Sequence, residues 1–388
     1  MLYRTFPPLE ILLIAALALA GLWQIYFYVR YMLGFWRLKR REKHGRIVYA
    51  DEQPGVSVII CARDRADDLR VFLPHVLEQD YPEFEVIVVD NGSLDDTTDV
   101  LNIYQQRYPH LRTTFVPNQA RLRSPRKLAI TLGVKAARYD HLVFTSPECC
   151  PENRHWLSHM VRNFVPGVDF VIGYNAFYEQ HGLLNRLICY DNITGSIKYM
   201  GAAFEGKPYM GVGSNMAYRK EFFMQHRGFA DFLGMRWGED LLYINRYATK
   251  DNIRVEANPE SVMWSAAPKK WSDRMSQKVH ELSAMSQYTS KSFLWIMLEP
   301  TVRFLFYALL LAALIIGITR ANYLLVALSV ILYTLRIIGL IWIMAKASRR
   351  YGTHVFGLRI AFFDLFLPFV TTWLMLFRTG KVQRRDFF

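Results

Sequence analysis

Apolar positions along this chain follow three different rhythms. Leu9 to Val29, Val302 to Ile318 and Tyr323 to Ala345 are almost unbroken apolar runs, near the roughly 20 residues that a bilayer span needs. Between the first run and the other two, apolar residues come in short bursts. VSVIIC (56–61) and FEVIVVD (84–90) are β-branched runs of the kind found in parallel strands covered on both faces. Leu69, Phe72, Leu73, Val76 and Leu77 recur at helical spacing between them, which predicts a β-α-β unit.

The same reading continues along the central region. Helices are predicted over Thr97–Tyr108, from about Leu128 to Tyr139, and over 155–164. Strands are predicted at 112–116, at HLVFT (141–145) and at 169–173. Residues 177–210 show no period and are expected to be irregular. GVGSNMAYRKEFF (211–223) predicts a glycine turn, a short strand and a helix start. GEDLLY (238–243) predicts paired acids opening a helix, and IRVEANPESVMWS (253–265) two short strands. The predicted class is α/β flanked by transmembrane α-helices.

The expected organisation is an N-terminal anchor over 1–35, a basic juxtamembrane linker over 36–53 and the α/β domain over 54–267. An amphipathic interfacial helix region follows over 268–299, then a membrane region over 300–388. No small-residue cleavage site follows the first apolar run, so it reads as an anchor and not a cleaved signal. The last apolar stretch, Phe356–Phe377, contains Arg359, Asp364 and Pro368, and fits either a third C-terminal span or a re-entrant segment. In a span, such polar residues need a partner in the protein.

Composition sharpens this picture at two points. The chain has 388 residues, 52% of them apolar, a mean hydropathy of +0.06 and a net charge of +13. Its basic residues gather at the edges of the apolar runs, as in Arg37, Lys39, Arg40 and Arg41. That placement suits anionic membrane lipids and argues against a nucleic-acid partner. By the positive-inside tendency, the α/β domain faces the cytoplasm, as in a protein of the bacterial inner membrane. The four cysteines form no CxxC pair and complete no zinc spacing with histidine.

Candidate chemistry concentrates at strand ends. Asp90 closes the second predicted strand, where open α/β sheets bind ligands; its other reading is a cap for the Asn91-Gly92 turn. Arg126 and Lys127 could neutralise a diphosphate or belong to a solvated basic loop. Glu239 and Asp240 could supply a general base or only favour a helix N-terminus.

These segments together resemble the membrane-bound, inverting glycosyltransferases of family 2, whose fold is GT-A, Rossmann-like with a mixed sheet. VSVIICARDRADDL resembles that family's opening strand and turn. LEQDYPEFEVIVVDNGSLDDT is similar to its segment ending in Asp-Asp-Gly-Ser, SPRKLAITLGVKAA to its Lys-bearing helix, and GEDLLY to its catalytic acid. The resemblance implies Asp240 as catalytic base with Glu239 beside it. It also implies Asp64, Asp90, Arg126 and Lys127 at the nucleotide-sugar donor, and Gly211, Gly213 and Asn215 on the acceptor side. At the place of the family's Asp-x-Asp metal motif stands Ser146-Pro147-Glu148, so Glu148 alone could hold Mg²⁺ or Mn²⁺. The processive members' Gln-x-x-Arg-Trp is reduced to Gln277 followed by His280-Glu281 in the interfacial stretch.

The expected activity is therefore non-processive. One sugar passes from a nucleotide-sugar donor to a lipid-linked, polysaccharide or other membrane-proximal acceptor, with inversion, in surface glycan assembly. The alternative is a catalytically weakened binding or scaffold subunit of a glycan-assembly complex.

Overall fold

The computed structural model describes residues 7–117 and 124–378. A long helix, α1 (Pro8–Lys43), leads into β1 (Val56–Ala62), α2 (Ala66–Leu77), β2 (Phe84–Asp90), α3 (Thr97–Arg107) and β3 (Leu111–Phe115). Then come α4 (Pro125–Ala136), β4 (His141–Thr145), β5 (Cys149–Pro151), α5 (Trp156–Val161), β6 (Phe170–Ile172) and β7 (Asn175–Phe177). A 22-residue helix, α6 (Leu183–Phe204), precedes β8 (Met216–Arg219), α7 (Lys220–Gln225), α8 (Glu239–Tyr247), β9 (Ile253–Val255) and β10 (Met263–Ser265). Four helices close the described chain: α9 (Trp271–Met285), α10 (Ser290–Thr319), α11 (Tyr323–Tyr351) and α12 (Arg359–Phe377).

Seven strands form one mixed sheet in the order β3-β2-β1-β4-β8-β6-β9. β3, β2, β1 and β4 are parallel, and β8 runs antiparallel to both neighbours. β5, β10 and β7 make a separate three-stranded sheet. The two-residue period of β1 splits its side chains between two cores. Val56, Val58 and Ile60 pack with α2, α3 and α5, while Ile59 joins Ile87, Val89 and α4 on the opposite face. That second core runs on without a break into α6, α1 and α11.

α4 lies close on the sheet at Gly133. A Cβ there would sit 2.7 Å from Ile59 Cγ2 and 3.1 Å from Val89 Cγ2. The glycine therefore fixes how near α4, and the Arg126 it carries, come to the strand ends.

Among the described residues, four helices are long and apolar enough to cross a membrane: α1, α10 from Ser292, α11 and α12. Three expectations change, and a fourth that was open is narrowed. The basic stretch expected as a linker is helical to Lys43, because Arg and Lys propagate a helix well and nothing before His44 breaks it. Residues 183–204 are a helix, not irregular; α6 is buried almost all round, so no apolar stripe alternates with a polar one. The region 268–299 divides between α9 and the first turns of α10, which carries Pro300 inside it. The stretch 356–377, for which a third span and a re-entrant segment were both open, is helical from Arg359 to Phe377 as α12, with Pro368 inside it. Arg121 and Arg123 of the basic loop, and Lys381, Arg384 and Arg385, lie outside the described residues.

Gly133→Ala is expected to lower thermal stability by about 1–3 kcal/mol, because the added methyl has no room and α4 must lift. A thermal unfolding midpoint unchanged from the parent would contradict this packing.

Candidate active site

β1 and β4 end beside the start of α8, and the side chains there face one small cleft. Ser146, Gly213, Arg126, Glu239 and Asp240 line it, over Ile59, Phe144 and Tyr218. Gly238 turns the chain into α8 with φ at +87°, a left-handed conformation that glycine adopts freely. A Cβ on Gly238 would also sit 2.6 Å from Ala284 Cβ, so the same glycine lets α9 approach.

Glu239 and Asp240 occupy the first turn of α8, where a helix favours negative charge. Asp240 Oδ2 accepts the Gly213 N–H at 2.8 Å, and its Oδ1 accepts the Leu241 N–H at 2.9 Å. Glu239 is only 5% exposed; Arg126 Nε pairs with its Oε1 at 2.5 Å. Burial raises the Asp240 pKa above the ordinary carboxylate range, and the Glu239 charge beside it pushes the same way. Arg126 and the two backbone N–H groups offset part of that rise. Asp240 is thereby a stronger base than a solvated carboxylate. Cys61 lines the same cleft, but burial pushes its thiol up to about 12, which keeps it neutral.

Two polar atoms here lack a hydrogen-bond partner among the described residues: Glu239 Oε2 and Thr145 Oγ1, both buried. Orphaned buried acceptors of this kind mark a place where a ligand or water completes the bonding.

A larger cavity of about 510 Å³ opens on the other side of the acids. Arg126, Glu239 and Asp240 line both spaces. Gly211 forms part of its wall, Gln277 and His280 reach it from α9, and α6, α10 and α12 enclose the rest. The His280 ring lies against Trp237, with centroids 4.5 Å apart.

The other candidate residues sit elsewhere. Lys127 is 1% exposed, and its Nζ donates to the Met235 carbonyl. Ser124 Oγ donates to the Arg236 carbonyl at 3.0 Å. Both therefore brace the loop that delivers Glu239 and Asp240, and Lys127 lines neither space around the acids. Asn215 is fully buried. It donates to the Tyr174 and Ser261 carbonyls at 2.8 and 2.9 Å and accepts from Trp156 Nε1 at 3.0 Å. Its amide ties three segments together.

Asp90 and Asp64 are linked through Ser93, whose Oγ accepts the Asp64 N–H and donates to Asp90, and Asp90 alone of the two lines a third concavity. Asp90 accepts from Ser93 N and Oγ at 2.9 and 2.7 Å and from Thr98 Oγ1 at 3.1 Å. Asp64, at a left-handed φ of 51°, accepts the Leu94 N–H at 2.7 Å. Asp90 thus caps its turn, as its alternative reading has it, and also lines a cavity of about 340 Å³ with Thr98, Asn102 and Thr114. Residues 118–123, between the two halves of the cleft in sequence, lie outside the described residues.

Ser146 lines the cleft and Glu148 follows in the turn to β5, near enough to Arg65 and Arg126 to favour both cations. No three His, Cys, Asp or Glu side chains group as a metal site among the described residues. Glu148 fits a divalent ion as a single carboxylate, which Mg²⁺ accepts when substrate phosphates supply further ligands.

Sequence reasoning missed the Arg126–Glu239 pair, because the two lie 113 positions apart. It also missed α6, which closes the large cavity. The only available signal there was the apolar content of 183–204.

Residues 57–227 match the family model described as Glycosyl transferase family 2. The chain is 31% identical over 132 residues to glycosyltransferase AglE of Haloferax volcanii, covering 33% of this chain and 42% of that one. It is 21% identical over 180 residues to poly-beta-1,6-N-acetyl-D-glucosamine synthase of Staphylococcus epidermidis, covering 45% and 42%. These alignments span less than half the length of either relative. In fold, it resembles the mannosyltransferase PcManGT of Pyrobaculum calidifontis, solved with GDP-Man and Mn²⁺. That likeness has a TM-score of 0.53 at 19% identity, over 86% of this chain and 98% of the other. The matched segment and the mixed sheet agree: residues 57–227 are similar to glycosyl transferase family 2, and the chain takes a GT-A-like fold.

Proposed function

We propose that this protein transfers a single sugar from a nucleotide-sugar donor to a lipid-linked or membrane-proximal acceptor, with inversion, in glycan assembly. One observation carries the reading. Asp240 is a buried carboxylate of raised pKa standing where the strand-end cleft meets the cavity that runs toward the membrane helices.

In this reading the donor enters from the cleft and the acceptor from the larger cavity. Asp240 takes the proton from the acceptor hydroxyl as its oxygen attacks the anomeric carbon. The new glycosidic C–O bond forms on the face opposite the breaking bond to the diphosphate. The nucleoside diphosphate departs with that electron pair, and the anomeric configuration inverts. Arg126 is then drawn between Glu239 and the leaving diphosphate, which its planar guanidinium suits. Glu148 would hold a divalent cation, which when bound supplies further neutralisation of the diphosphate. Asp90 would hold the nucleoside at the concavity it lines, with Asp64 beside it across Ser93. The relatives' names and the four membrane-length helices support a glycan product made at a membrane. The basic C-terminal end of α1 supports a cytoplasmic face for the domain.

Asp240→Asn is expected to cut transfer by about 10²–10⁴-fold while donor binding persists, read by product formation and by calorimetric titration of donor. Normal turnover in that variant would remove Asp240 as the base. Donor binding with no turnover in the unaltered chain, across a screen of sugar nucleotides, would favour the scaffold alternative.

The acid limb of kcat/KM should lie above the usual carboxylate range, because activity is lost as pH falls through the raised Asp240 pKa. Glu239→Gln removes the neighbouring charge and leaves Arg126 facing Asp240 alone. The acid limb should then move to lower pH. An unmoved limb would mean that another group governs it.

A further inference from the structure

The larger cavity continues past the catalytic acids, between α6, α9, α10 and α12. Lys198 of α6 and Glu299 and Arg303 of α10 line it. Lys198 and Arg303 both pair with Glu299. Arg303 also reaches Asp364 of α12 at 3.5 Å, and Arg336 of α11 holds Asp364 at 2.7 Å. Three cations therefore share two carboxylates. Apart from Lys198 these side chains are 4% exposed or less, so one positive charge stays uncompensated among membrane-length helices. The neighbouring group on α6 and α9 has no such surplus, because Arg274 and Lys278 face Asp191 and Glu281.

Ionisable groups inside membrane spans are costly, and typically mark a substrate path. A ligand with one negative charge would neutralise the surplus. The membrane side of the cavity is different in character. α10 and α12 each carry an internal proline, Pro300 and Pro368, and both prolines line the cavity. Proline breaks the helix hydrogen-bond ladder and bends the helix, which helps two neighbours part. Met297, Leu367 and Thr371 line the same side, and none carries a charge.

We propose that this cavity binds a lipid bearing a phosphate head group. The phosphate sits at Lys198 and Arg303, the hydrocarbon chain leaves between α10 and α12, and the reacting end extends to Asp240. The assignment rests on the transferase reading and names the acceptor class for it.

The test uses the full chain in phosphatidylcholine nanodiscs, titrated with a polyprenyl monophosphate and with the matching polyprenol, read by native mass spectrometry. The phosphate should bind at least about tenfold more tightly than the alcohol. Lys198→Met should erase that preference. Thr371→Trp, which fills the gap between α10 and α12 without touching a charge, should weaken both lipids and decides the matter if the charge variant does not fold. Equal binding of alcohol and phosphate, or parental affinity in folded Thr371→Trp, would overturn the proposal. Binding of sugar nucleotides by the unaltered chain without added lipid is measured separately by calorimetric titration. Its absence would count against the transferase reading, whereas absent lipid discrimination would count against this assignment alone.

Discussion

Two adjacent carboxylates buried at the start of α8 are the constraint around which this domain is arranged. Glu239 and Asp240 repel each other, and burial removes the water that would screen them. Three things make the pair tolerable: the Arg126 guanidinium, the backbone N–H groups of Gly213 and Leu241, and the N-terminal end of the α8 dipole. Each depends on a close approach elsewhere. A Cβ on Gly213 would stand 3.0 Å from Asp240 Oδ2, so a larger residue there would push the carboxylate off that donor. Arg126 reaches Glu239 because α4 lies low on the sheet over Gly133. Lys127 and Ser124, one turn of the same helix, hold the loop that brings the acids in.

That arrangement explains why the acids serve two spaces at once. They close the strand-end cleft on one side and begin the membrane-facing cavity on the other. α6 makes the second space. It is inserted between β7 and β8, yet it packs on α1, α11 and α12, so the core of the sheet and the packing of the spans are one continuous apolar body. A domain hinged on a flexible linker could not hold a cavity across that boundary. The helical continuation of α1 to Lys43 shortens such a linker to residues 44–55 on the N-terminal side.

Much of this was legible in the sequence, for physical reasons that differ from place to place. β1, β2 and β4 were readable because strands buried on both faces are short and β-branched throughout. The paired acids were readable because GEDLLY places them directly after a glycine and before an apolar helical period. α6 was not, since a helix buried all round has no polar face to set its period. Lys127 and Asn215 carry the right residue types for a site, but their partners are backbone carbonyls distant in sequence. Spacing carries no information about those. Asp364 lies between these cases: its place in an apolar run demanded a partner, and only the fold could say that Arg336, Arg303 and Tyr307 supply it.

The intramembrane charges also bear on how the parts find each other. Gln24 of α1 accepts from Arg336 of α11, Tyr28 of α1 donates to Glu299 of α10, and Lys198 of α6 pairs with the same Glu299. Breaking such a network would strand a buried charge, whereas its complete form satisfies most of them. Apolar helices alone could slide or pair in several registers at little cost. Here only the arrangement that docks α6 against the spans gives Glu299 both of its cations. The polar groups thus make the membrane bundle dependent on the catalytic domain's own helix, and the large cavity exists only when the two are joined.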